Sequence, residues 1–193
     1  MLSRLASAVD SGVSMIQVRE RHLDDRALTL FVRELVGICA GSPCMVVVNE
    51  RSDVTLTAGA HGVHLKSDSV SVADVRTVLG SGSIVGRSVH SVGEATAVGS
   101  AGGCDYLVFG TVYPSSSKAE DHPVAGIEAL RQVCSSVSLP VIAIGGISVA
   151  RAPAVARAGA AGVAAISLFA ETADMGRVAG ELRNALTLEE GNV

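Results

Sequence analysis

The chain has 193 residues, enough for one well-formed core but not comfortably for two. Hydrophobic residues make up 48% and charged residues 18%, which excludes a disordered chain. A formal net charge of −4, 3% aromatics and no Trp leave neither the basic surface nor the stacking platforms of a nucleic-acid binder.

The chain opens in a helix-like stretch carrying Leu5, Ala6 and Val9 on one stripe. A first strand is predicted over Val13–Arg19, and a helix over Asp24–Val36 buries Ala27, Leu28, Phe31, Val32 and Leu35, with Asp24 and Asp25 at its start. Strands follow over Cys44–Asn49 and Gly62–Leu65, a helix over Ser71–Leu79, a strand over Ser83–Ser88 and a helix over Val92–Gly99. The second half alternates in the same way. Strands over Asp105–Gly110, Pro140–Gly145 and Gly162–Ser167 are separated and followed by helices over Gly126–Val133, Val149–Ala158 and Gly176–Leu186. The strands read as nearly continuous Val/Ile runs, the pattern of parallel strands covered on both faces. Glycines at Gly12, Gly59, Gly102 and Gly159 recur where a helix closes and a strand opens, a weak echo of a duplicated half-barrel.

Seven βα units without a linker predict a single domain over 1–193, an α/β TIM (β/α)8-type barrel. An open doubly wound sheet is less well supported, because no glycine fingerprint follows the first strand. No apolar strand precedes Leu5, so the barrel's first strand is missing from this chain, and either an upstream start or another chain would supply it. Mean hydropathy is +0.44. The longest apolar stretch, Leu139 to Ala170, is cut by Arg151, Pro153 and Arg157, so no run reaches the roughly 18 residues a membrane span needs. Cys39, Cys44, Cys104 and Cys134 form no CxxC pair. With no signal-peptide pattern at Met1, they predict a cytoplasmic protein with reduced thiols.

In such barrels chemistry gathers at the C-terminal ends of the strands. Gln17, Arg19 and Arg21 share one strand face, and cations aimed inward need an anion, so they form a candidate diphosphate cradle or, alternatively, a solvated loop. Asn49 and Glu50 end the next strand, where Glu50 could hold a divalent cation. Asp68 could join Glu50 as a second ligand, or it or Ser69 could cap the following helix. His61 and His64 lie three apart on a strand and face opposite ways, so they make a poor metal pair. Ser88 and His90 share a face, and His90 is a candidate acid or base or a residue that orients a loop. Ser115, Ser117 and Lys118 suit an oligophosphate, or a plain polar loop. Gly145, Gly146, Ile166 and Ser167 sit at the last two strand ends, where a phosphate monoester could bind through backbone N–H groups.

Together these segments resemble the thiamine phosphate synthase/TenI family of barrels over essentially the whole chain. The synthase pattern is similar to Q-x-R-x-K, N-D-R, G-V-H-L-G-Q-x-D, S-T-H-S, G-P-V-F-x-T-x-T-K, A-I-G-G-I and G-V-A-x-x-S in that order. Here the corresponding segments begin at Gln17, Asn49, Gly62, Ser88, Gly110, Ala143 and Gly162. The resemblance implies an enzyme of thiamin biosynthesis, a transferase joining hydroxymethylpyrimidine diphosphate to thiazole phosphate with release of diphosphate. Diphosphate leaves with the help of Mg²⁺, a pyrimidine carbocation forms, and the thiazole nitrogen attacks it.

Carried over by motif, Gln17, Arg19, Arg21, Asn49 and Lys118 would hold the diphosphate, and Glu50 and Asp68 would hold Mg²⁺. Ser88, Ser115 and Ser117 would assist, and Gly145, Gly146, Ile166 and Ser167 would bind the thiazole phosphate. Arg19, Ser88, His90 and Lys118 are the candidate catalytic residues. Three positions depart from the pattern. Arg21 stands for a lysine, Glu50 for an aspartate, and strict register puts Ser69 rather than Asp68 at the metal position, with Lys66 nearby as a cation of its own. Two alternatives stay open: a TenI-like thiazole phosphate tautomerase, whose acid/base histidine would fall on Thr111, and a non-catalytic phosphate-binding regulatory barrel. The partners implied are small phosphorylated substrates and a possible second copy of the chain, with no nucleic acid and no membrane.

Overall fold

The computed structural model describes residues 1–115 and 123–187. The chain divides into two compact units, Met1–Gly86 and Arg87–Val193.

The first unit opens with α1 (Leu2–Asp10) and continues through β1 (Met15–Val18), α2 (Asp25–Cys39), β2 (Met45–Asn49), α3 (Ser52–Ala58), β3 (Gly62–Leu65) and α4 (Val72–Leu79). β1 pairs parallel with β2, which pairs parallel with β3, so order in space follows order in sequence. Each βα step is set locally. Asp24 caps α2 by accepting the Ala27 N–H at 2.7 Å, which satisfies a donor that the helix cannot bond itself. Gly59 ends α3 in the left-handed region (φ 72°), a turn a side chain would strain, and the chain re-enters β3 three residues later.

The core lies between strands and helices. Val46 and Val48 of β2 pack with Leu28, Val32 and Leu35 of α2, Val54 of α3 and Val9 of α1. Val47 is equally buried on the other strand face, as an uninterrupted Val run requires. β4 (Ile84–Val89) contains the boundary between the units.

The second unit continues with α5 (Val92–Ala101), β5 (Tyr106–Phe109), α6 (Gly126–Ser136) and β6 (Val141–Ile144). A 3-10 turn (Val149–Arg151) then runs into α7 (Ala152–Arg157), followed by β7 (Gly162–Ala164), α8 (Ser167–Glu171) and α9 (Met175–Thr187). β5, β6 and β7 are parallel and again in chain order. Ala152, Val178, Leu182 and Ala185 bury one face of α9 against α7.

The seven strands of the described residues fall where the Val/Ile runs predict them, and the first element is a helix, as the sequence reading expects. Several strand ends shift by one or two residues, and one shifts further. β7 stops at Ala164 instead of Ser167, because the chain turns at Ile166 and Ser167 already begins α8. Two short helices, α3 and α8, have no counterpart in the sequence reading, since seven and five residues are too few to display a helical period. All four cysteines are free thiols, and no described helix is long and apolar enough to cross a membrane.

Candidate active site

In the first unit the parallel register aligns the C-terminal ends of β1, β2 and β3. Gln17 Nε2 donates to Asn49 Oδ1 at 2.9 Å, joining the first two strand ends. Val18 is buried while Gln17 and Arg19 are exposed, the alternation the strand reading predicts. The Arg19 charge acts on His64 of β3, and so does Glu50. Gln17, Asn49, Arg19, Glu50 and His64 thus form one neighbourhood, with Arg21 exposed in the loop beyond. Arg51 turns out of it. Its guanidinium grips Asp53 and reaches Asp25 at 2.9 Å, and that grip holds the Asp53 carboxyl down at about 2.

His61 and His64 separate as the strand period requires. The exposed His61 accepts the Val46 N–H through Nδ1 at 2.9 Å, whereas His64 is 2% exposed. Burial pushes the His64 imidazole down to about 4, and the Arg19 charge lowers it further, so the ring is neutral at pH 7.

Glu50 has a left-handed backbone (φ 61°), uncommon for a residue with a side chain, and its N–H donates to His64 O at 2.9 Å. Its Oε1 accepts from the Ser69 hydroxyl and its Oε2 lies 3.1 Å from Lys66 Nζ. The same ammonium lies 3.3 Å from Asp68 Oδ1. Hydrogen bonds to Glu50 first and Asp68 second raise the Lys66 pKa, so it is a full cation at neutral pH. The resemblance gives Mg²⁺ to Glu50 and Asp68, but an ammonium lies between these carboxylates and a hydroxyl takes the remaining Glu50 oxygen. Among the described residues no group of three or more His, Cys, Asp or Glu is placed to hold a metal ion. The donor set does not fit a divalent cation with Lys66 in place. Neither Asp68 nor Ser69 caps α4. That role belongs to Ser71, which accepts the Asp74 N–H at 3.1 Å.

In the second unit Ser88 is half-buried on β4, and His90 follows the strand end. His90 Nδ1 lies 2.7 Å from Gly110 O. A carbonyl can only accept, so Nδ1 is the donor in this contact. The start of α5 ties down the loop: the His90 N–H donates to Glu94 Oε2 at 2.8 Å, and the N-cap Ser91 Oγ accepts the Glu94 N–H.

Beyond β5 and β6 the backbone ladder continues, with the Val112 N–H on Ile144 O at 2.9 Å and the Tyr113 N–H on Gly145 O at 3.1 Å. A Cβ on Gly145 (φ 98°) would lie 2.5 Å from Thr111 Cγ2, and one on Gly146 (φ 60°) 2.8 Å from Tyr113 Cβ. Both glycines are required by backbone shape and close approach together. Arg151 closes this corner. Its guanidinium donates to Gly146 O at 2.6 Å and stacks 4.6 Å from the Tyr113 ring centroid.

Ile166 is exposed and precedes α8, whose first residue is Ser167. A cleft of about 430 Å³ opens beside it, lined among others by Ser148, Ser167, Thr172 and Arg177. Ser115 is half-buried at the edge of the described residues, and Ser117 and Lys118 lie outside them.

The profile of the thiamine monophosphate synthase family matches residues 1–169. The chain belongs to that family. The match spans both compact units. Family relatives include the thiamine-phosphate synthase of Methanoculleus marisnigri, 36% identical over 96% of this chain and 86% of its own. That of Methanocella arvoryzae is 38% identical over 91% of this chain and 82% of its own. Among solved structures, thiamine phosphate pyrophosphorylase from Pyrococcus furiosus superposes with a TM-score of 0.86 at 30% identity, covering 96% of this chain and 88% of that one. A 3-hexulose-6-phosphate synthase matches at a TM-score of 0.71 and 21% identity, covering 95% and 92%, a likeness of fold alone. The fold is therefore the α/β barrel type read from the sequence, with seven strands among the described residues.

Three side chains take places that the sequence does not indicate. Tyr113 and Arg151 lie 38 positions apart and meet only through the β5 and β6 loops. His64 was weighed as a metal ligand and set aside, and its burial beside Arg19 depends on packing across strands.

Proposed function

We propose that this chain acts as a thiamine-phosphate synthase, joining hydroxymethylpyrimidine diphosphate to thiazole phosphate with release of diphosphate. The observation that carries the reading is the polar neighbourhood at the first unit's strand ends, where Gln17 is bonded to Asn49 beside Arg19. Its setting is a chain whose relatives are named thiamine-phosphate synthases.

The bond between the pyrimidine methylene carbon and the diphosphate oxygen breaks, the electron pair leaves with diphosphate, and the thiazole nitrogen forms the new C–N bond. Negative charge on the leaving oxygen grows toward the transition state. Guanidinium groups that close on this oxygen bind it more tightly than they bind the substrate, which is what lowers the barrier. Arg19, Arg21, Gln17 and Asn49 are assigned to the diphosphate. The backbone at Gly145, Gly146 and Ile166, with the Ser167 hydroxyl, is assigned to the phosphate monoester of the thiazole. Ser88 is assigned to assist. No step is routed through Mg²⁺, because Lys66 lies between the carboxylates that would hold it. A cytoplasmic location belongs to this proposal.

The test is diphosphate release from the two substrates by wild type and by Arg19→Ala. Release that falls about 100-fold or more in the folded variant supports the reading. Absence of release by folded wild type overturns it. One observation favours a second reading, a TenI-like thiazole phosphate tautomerase: the Gly110 carbonyl holds His90 through Nδ1 at 2.7 Å, which leaves Nε2 as the acid/base atom. Proton exchange on thiazole phosphate in D2O, lost in His90→Ala, would mark it.

A further inference from the structure

We propose that Lys66 is the resident cation of the Glu50/Asp68 site, so that its ammonium excludes divalent ions from the site and makes turnover independent of them. Glu50 is fixed at the end of β2 by its own backbone, with its N–H on His64 O at 2.9 Å. Lys66 is fixed at the end of the neighbouring strand β3. Its N–H donates to Ser69 Oγ at 2.9 Å, and Ser69 donates in turn to Glu50 Oε1. The Lys66–Ser69 turn closes with the Ser69 N–H on Lys66 O at 3.3 Å. Lys66 and Glu50 are therefore tied twice, once through Ser69 and once through the ammonium at 3.1 Å.

The ammonium reaches the second carboxylate, Asp68, at 3.3 Å. Each carboxylate that could ligate an ion thus already spends an oxygen on this positive charge. An entering dication would have to displace Lys66 or sit within a few ångströms of it, and repulsion opposes the second course. Lys66 also leaves the trio one net negative charge where the two carboxylates alone would carry two, which weakens the pull on any metal ion.

The part of the proposal that concerns ion binding stands on this geometry alone. The part that concerns turnover rests on the synthase reading. The probe is Mn²⁺, followed by the electron paramagnetic resonance of the free ion, in wild type, Lys66→Ala, Lys66→Met and Lys66→Ala/Glu50→Gln. Lys66 is 39% exposed, and Lys66→Met keeps most of its stem, so folding is preserved. Both single variants are expected to bind Mn²⁺ at least about tenfold more tightly than wild type, and the double variant to lose that gain. Equal binding by wild type and the single variants overturns the proposal, and so does a double variant that still binds.

Diphosphate release is then measured with Mg²⁺ and with EDTA. Wild type is expected to be unaffected by EDTA and Lys66→Ala to need Mg²⁺. Wild-type release abolished by EDTA overturns the proposal. No release by any variant would sink the synthase reading, while the Mn²⁺ measurements still decide whether Lys66 bars the ion.

Discussion

His64 gives the strongest quantitative handle on the first unit. The imidazole is 2% exposed and is pushed down to about 4, mainly by burial and then by the Arg19 charge, against an ordinary value of 6.5. Above pH 6.5 both the folded and the unfolded chain keep this ring neutral, so it has no effect on stability. As the pH falls from 6.5 toward 4, the unfolded chain takes up a proton that the folded chain refuses, and stability is lost. Below 4 both states are protonated and the loss is constant.

The linkage relation puts the loss at about 1.4 kcal/mol at pH 5.5, about 2 kcal/mol at pH 5 and about 3.4 kcal/mol at its limit. With a urea slope of about 2 kcal/mol/M, the midpoint should fall by about 0.7 M between pH 8 and pH 5.5 from this residue alone. Other groups titrate in the same range, so the measurement is a difference. Urea unfolding by circular dichroism is run on wild type and His64→Gln at both pH values, and the variant should lack that share of the fall. The C2–H proton resonance of His64 gives the same quantity directly. Identical pH dependence in the two proteins would refute the argument that burial sets this imidazole's charge.

Three further outcomes follow from the second unit and the thiols. Gly145→Ala forces a positive φ on alanine and sets its Cβ against Thr111, so it should cost about 1–3 kcal/mol in unfolding experiments and raise KM for the thiazole phosphate. An unchanged KM would detach Gly145 from the substrate. Arg151→Ala removes the bond to Gly146 O and the stack on Tyr113. Because Arg151 is exposed, stability should change by no more than about 1 kcal/mol, while KM for the same substrate rises; an unchanged KM would count against a positioning role. Burial raises the Cys44 thiol to about 12 and the neighbouring Cys39 reinforces the shift, so iodoacetamide should leave both unmodified in the folded protein and label them in urea. Mass spectrometry showing rapid labelling of Cys39 or Cys44 in the native chain would contradict the packing of α2 on β2.

Parts of the site were legible because local chemistry announces them. Gln17, Asn49 and Glu50 stand out as polar residues ending Val/Ile runs that otherwise exclude them, and the structure brings the three strand ends together. The opposite facing of His61 and His64 follows from the two-residue period of a strand, and one is exposed and the other buried. Arg51 follows Glu50 directly in the chain, yet it leaves the neighbourhood for Asp53 and Asp25. Its side chain takes the nearest carboxylates, and no pattern in the sequence says that Asp25 is one of them. The Glu50, Asp68 and Lys66 charges were visible, but which pair would meet was not. Their meeting is set by the left-handed backbone at Glu50 and the Lys66–Ser69 turn.

The sequence by itself determined the alternation of parallel strands and helices, the capped start of α2, the glycine-closed turns and the family to which the chain belongs. Those depend on short-range periodicity and on an ordered set of motifs. Only the tertiary structure decided that His64 is buried, that Arg151 stacks on Tyr113, and that an ammonium lies between two carboxylates. Each of these is a contact between residues on different strands or loops, and its energy exists only once packing has brought them within a few ångströms.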